Sequence, residues 1–157
     1  MLVRTCYTEF IAWESNESNK EQIMVTVYAS LSTNMKAASD FINSVGWGGV
    51  ANSDDPLARK FLTRGDCSFN DEPSDDHILN IKECMRKGLL VEVSEVPGTL
   101  EEAFGKCQHG SLPWFMNTEI VSRQDIGKYD VPSMSAGDVV KFEGDLYIVM
   151  GFGFHKI

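Results

Sequence analysis

Residues 133–157 read SMSAGDVVKFEGDLYIVMGFGFHKI, and the reading of this stretch decides the fold. After the Gly137-Asp138 pair, Val139, Val140 and Phe142 form a short β-branched and aromatic run. The residues 143–145, EGD, supply a tight reversal into the apolar run Leu146 to Met150, so a C-terminal β-hairpin is expected. Ser133 and Ser135 can bond neighbouring backbone at a turn, Gly137 can take a positive φ, and Asp138 can bond its own turn. Gly151 and Gly153 allow a bulge or a close backbone approach, with Phe154 folding back onto the sheet. A G-x-G pair also opens dinucleotide loops, but such a loop needs a helix N-terminus behind it to hold the phosphates. Only His155, Lys156 and Ile157 follow Phe154, so GFGF is expected to close a fold and not to bind a nucleotide.

Upstream of the tail the pattern alternates between short helices and strands. Thr99 and Glu102 make a capping box, and Leu100, Ala103, Phe104 and Cys107 form one face of the helix it opens. WFMNTEIV (114–121) reads as a strand, as does LLVEVSEV (89–96). Ser74 opens the clearest helix, with Asp75 and Asp76 in its first turn, an Ile78, Ile81 and Met85 stripe, and Gly88 at its end. Pro56 opens a shorter helix that Gly65 ends. Ala38, Phe41, Ile42 and Val45 recur at helical spacing before Gly46. Ile23, Val25 and Val27 alternate as in a strand, expected to pair in a hairpin with Phe10 to Trp13. These elements predict an α+β fold: a mostly antiparallel sheet with three or four short helices and the C-terminal hairpin.

The totals narrow the function. A chain of 157 residues suits one globular domain. With 23 acidic against 14 basic residues, the net charge of −9 argues against direct nucleic-acid binding, which needs Lys and Arg to neutralise phosphates. No run approaches 18 apolar residues, so no membrane partner is expected. The N-terminus lacks the basic-then-apolar order of a signal peptide, and cytoplasmic residence is the expectation. Cys6, Cys67, Cys84 and Cys107 form no C-x-x-C pair and are read as buried or half-buried thiols.

Candidate chemistry is sparse. Asp66, Ser68 and Asn70 alternate like calcium-loop ligands, but Asp71 and His77 stand where that loop needs Gly and Glu. Cys107 and His109 are two apart near a helix end, and no second pair has zinc-ligand spacing. The same two residues do not face each other on a helix, which argues against a catalytic dyad. No metal or other cofactor and no catalytic residue is assigned. Trp47, Trp114, Phe115, Phe152 and Phe154 are read as core more readily than as a stacking platform. The carboxylates Asp54, Asp55, Asp71, Glu72, Asp75 and Asp76 cluster around loops and helix starts, and are the preferred region for contact with a partner.

The last third of the chain resembles the YodL-like families of small phage and mobile-element proteins. The matching positions are Leu100, Glu101, Glu102, Phe104, Gln108 and Trp114, then Ser133, Ser135, Gly137, Asp138, Val139 and Tyr147, and finally Gly153, Phe154 and Ile157. Pro132 and Ala136 depart from that pattern, which commonly has Arg and Val there. The resemblance implies a division of the single domain into a variable part, 1–96, and a YodL-like unit, 97–157. It also implies an accessory protein, from families without an established catalytic activity, that binds a host protein, for example as an inhibitor of a host defence system of the antirestriction or anti-CRISPR type. Two other readings remain open: a small-ligand or nucleotide module on the terminal hairpin, and an enzyme using Cys107 or Cys84 with a histidine.

Overall fold

The computed structural model describes residues 23–30, 56–65, 72–129 and 131–157. The expected strand at 10–13 and helix at 38–45 lie outside them, as do Trp47, Asp54, Asp55, Asp71 and the 66–70 ligand pattern. The α+β architecture is present. Strands β1 (Met24–Ala29), β2 (Val91–Pro97), β3 (Val121–Ser122), β4 (Val139–Phe142), β5 (Asp145–Val149) and β6 (Phe154–Lys156) form one sheet in the order β3-β2-β1-β4-β5-β6. Every neighbouring pair is antiparallel. Among the described residues the helices are α1 (Pro56–Thr63), α2 (Asp75–Arg86) and α3 (Leu100–Lys106).

β1 lies in the middle of the sheet, against the expectation of a hairpin with 10–13. Its two hydrogen-bonding edges are both taken, Thr26 standing opposite Glu95 of β2 and Lys141 of β4. A strand has only two edges, so a third partner has none to use. The β4–β5 hairpin turns at Glu143 and Gly144, both with positive φ (50° and 91°), the combination a two-residue reversal needs. The register of β1 on β2 slips at Val27/Tyr28, leaving Val93 as an extra residue on β2.

Adjacent residues on β4 and β5 are buried on opposite faces. Val140 and Val149 join Val25, Val27, Val96, Ala103, Cys107 and Trp114 in one cluster. Val139 and Ile148 join Ile81, Cys84, Leu90 and Met150 in the other. Both faces of these two strands are covered, which is why they read as continuous apolar runs and not as an alternation. Fully burying one such valine is worth roughly 1.5–3 kcal/mol.

The helix starts follow their caps. Ser74 accepts from the His77 backbone N–H, while Asp75 and Asp76 sit in the first turn of α2. Thr99 Oγ1 accepts from Glu102 N at 3.3 Å, and Glu102 Oε2 accepts from Thr99 N at 2.8 Å. Two corrections concern the middle of the chain. WFMNTEIV is a 3-10 turn, Trp114–Met116, followed by a strand of two residues, because Trp114 is drawn into the core and its Nε1–H donates to Pro132 O at 2.9 Å. On α3 the buried line runs through Ala103 and Cys107, one helical turn apart; Phe104, expected on that face, is 37% exposed. Thr99→Ala is expected to lower stability by about 1 kcal/mol, read as a lower urea midpoint with unchanged slope, and Thr99→Ser to retain most of it.

Candidate functional site

The conspicuous charged group inside the fold is Asp138. It is 1% exposed, at the start of β4. Its Oδ2 accepts from Ser135 N at 2.8 Å, and its own N–H donates to Ser135 O at 3.0 Å, closing the turn. Oδ1 lies 3.7 Å from an Arg64 guanidinium nitrogen, an ion-pair distance too long for a hydrogen bond. Gly137, with φ 87°, lets the chain pass beneath the end of α1: a Cβ there would stand 2.6 Å from Arg64 O. Burial pushes the Asp138 carboxyl up to about 6, with Arg64 and the Ser135 hydrogen bonds pulling the other way. This Gly-Asp turn therefore locks β4 beneath α1.

The other residues of the tail pattern also hold the chain together. Gln108 Nε2 donates to Phe104 O and Met134 O, and Ser133 Oγ accepts from His109 N at 2.8 Å. His109 Nε2 lies 3.0 Å from Val131 O, and its Nδ1 lies 3.4 Å from Trp114 N. A carbonyl only accepts and a backbone N–H only donates, so these partners fit the neutral ring protonated at Nε2. Leu100, Tyr147 and Phe154 are half-buried against the core. Phe152, expected in the core, is 96% exposed because Gly151-Phe152-Gly153 is the tip of the β5–β6 turn.

The two described thiols are buried and unactivated. Cys107 is fully buried at the end of α3; burial pushes it up to about 12, with the Asp138 charge adding to the shift. Burial also raises Cys84, although Arg64 and Lys60 act in the opposite direction. A thiol nucleophile needs the reverse shift and access to solvent, and both nitrogens of His109 already face backbone groups. Among the described residues no group of three or more His, Cys, Asp or Glu side chains could hold a metal ion. Among the same residues no helix is long and apolar enough to cross a membrane.

Among the described residues some surface carboxylates are paired with cations and others are not. Glu83, Glu119, Asp125 and Asp145 are neutralised by Arg86, Lys106, Arg123 and Lys156 at 2.7, 2.9, 2.6 and 2.6 Å. Glu102 is held in the capping box. Glu72, Asp75 and Asp76, three of the carboxylates singled out in the sequence, are exposed and make no ion pair among the described residues. The same holds for Glu92 and Glu95 on β2, to which the sequence drew no attention. Their only sequence signal is that both interrupt a valine-rich strand. Comparison of the chain with protein-family models, curated proteins and solved structures returns no match.

Two outcomes follow from the buried groups. Because the Asp138 pKa is raised above the ordinary carboxylate value, the native state holds more protons than the unfolded state between about pH 4 and 6. This group's contribution to stability is full below pH 4 and is lost as pH rises through 6. Urea unfolding from pH 4 to 7 should show that loss, on the order of 2–3 kcal/mol, and Asp138→Asn should remove its pH dependence. In the native protein a small alkylating reagent should leave Cys84 and Cys107 unmodified at pH 7.5, both becoming reactive only in denaturant. Peptide mapping by mass spectrometry reads the two sites separately.

Proposed function

We propose that this chain is a binding protein, a phage- or mobile-element-type accessory factor that engages a basic surface of a host protein and so inhibits a host defence enzyme. The carrying observation is the split among its carboxylates. Among the described residues Glu83, Glu119, Asp125 and Asp145 are neutralised by neighbouring cations, whereas Glu72, Asp75 and Asp76 around the start of α2 are exposed and make no ion pair. Unneutralised charge on a protein of net charge −9 speeds encounter with a positive partner and repels nucleic acid. The tail resemblance supports the accessory role, and the burial of Cys84 and Cys107 weighs against a thiol enzyme.

A pull-down from host lysate with the full chain and with the E72Q/D75N/D76N variant tests this reading. The native chain is expected to retain a partner whose recovery falls as salt rises, since screening weakens exposed charge pairs. The variant should recover much less of it. Equal recovery by the two proteins would remove these carboxylates as the contact. Asp75 and Asp76 also favour the α2 dipole, by roughly 0.3–1 kcal/mol each, so the variant's thermal melt accompanies the assay.

A further inference from the structure

We propose that the groove between β2 and β3 is a docking site for an arginine-bearing extended segment of a protein partner. This surface uses none of the residues at the start of α2. On a regular strand, residues three apart point to opposite faces. Glu92 and Glu95 escape that rule because Val93 is an extra residue in β2. The bulge turns Val93 and Ser94 to the same side, 1% and 3% exposed, and leaves both glutamates exposed on the other face, that of Tyr28 and Thr26. Glu92 stands opposite Tyr28 and Glu95 opposite Thr26. Those two positions are two residues apart on β1, so the acids sit about 7 Å apart along the strand. Glu92 is close enough to Tyr28 that its charge adds to burial in raising the phenol.

Neither glutamate has an ion-pair partner among the described residues, and both are exposed. Beside them β3 places Val121, opposite Glu95 and 62% exposed. Together they border a groove of about 190 Å³. Arg123 also lines it, but its guanidinium is already held by both carboxylate oxygens of Asp125, at 2.6 and 3.1 Å, and leaves the two glutamates uncompensated. Lys141, opposite Thr26 on the far side of β1, closes the negative patch in that direction.

The guest that fits has an apolar stem to lie over Val121 and a planar cation to bridge two carboxylates, which is arginine. Its backbone is extended because β3 has only two residues and no described strand pairs with its outer edge. The peptide groups along that edge can pair with an added strand, a recurring mode of peptide recognition. A segment laid along β3 sends its arginine across Val121 toward Glu92 and Glu95.

The probe is the peptide acetyl-TVRVT-amide, titrated into the full-length protein and followed by backbone amide NMR shifts. Saturable shifts are expected at residues 92–95 and 121–123. The citrulline counterpart, which keeps the shape and loses the charge, should bind about tenfold more weakly, as should the arginine peptide to the E92Q/E95Q variant. The E72Q/D75N/D76N variant should bind the peptide like the native chain. Equal binding of the citrulline peptide, or by E92Q/E95Q, overturns the proposal. Shifts centred on 72–76 also overturn it, and would leave the start of α2 as the acidic contact. The citrulline arm uses the unmutated protein and is independent of how any variant folds.

Discussion

The sheet depends on the central position of β1. Val25 and Val27 are buried at its heart, while its two edges carry β2 on one side and β4 on the other. β2–β3 and β4–β5–β6 have no other strand between them. A strand near the start of the chain thus joins two ribbons formed by residues 91 onward. That long-range pairing carries a loop-closure cost, and burial of apolar surface on the inner faces offsets it. The bulge at Val93 is a product of the same pairing, since it exists only in the register of β2 against β1.

A second constraint acts at the end of β4. A carboxylate in the interior is costly unless hydrogen bonds and an opposite charge compensate it. Asp138 has both, Ser135 on one oxygen and Arg64 facing the other, while burial pushes its carboxyl up against their pull. The interaction contributes position more than stability: it specifies where α1 meets the sheet, and Gly137 is the residue that permits the approach. The neighbouring segment is tied in the same manner, with Trp114, Gln108 and His109 reaching the backbone of 131–134. The pattern in the tail is therefore a set of structural ties, and the two surfaces proposed for recognition, at the start of α2 and along the β2–β3 edge, lie outside it.

Local features were legible in the sequence because local chemistry produces them. The α3 capping box, the Ser74 cap and the Glu143-Gly144 turn each involve residues within three or four positions of one another. The two apolar runs of the C-terminal hairpin were readable for the same reason. Where the reading failed, the choice between two faces or two conformations was made by packing. Trp114 left its strand-like context for a carbonyl 18 positions away, Phe104 rotated off a face that Ala103 and Cys107 occupy, and Phe152 was carried outward on a glycine turn.

The sequence by itself determined the α+β class, the Ser74 and Thr99 helix caps and the negative balance, since these depend on side-chain type and short spacing. Only the tertiary structure decided the strand order, the burial of Asp138 and the meeting of Glu92 with Glu95 on one face. Period-two alternation assigns those two glutamates to opposite sides, and nothing within β2 corrects it. The correction comes from the register against β1, a pairing between segments more than 60 residues apart that no local pattern encodes.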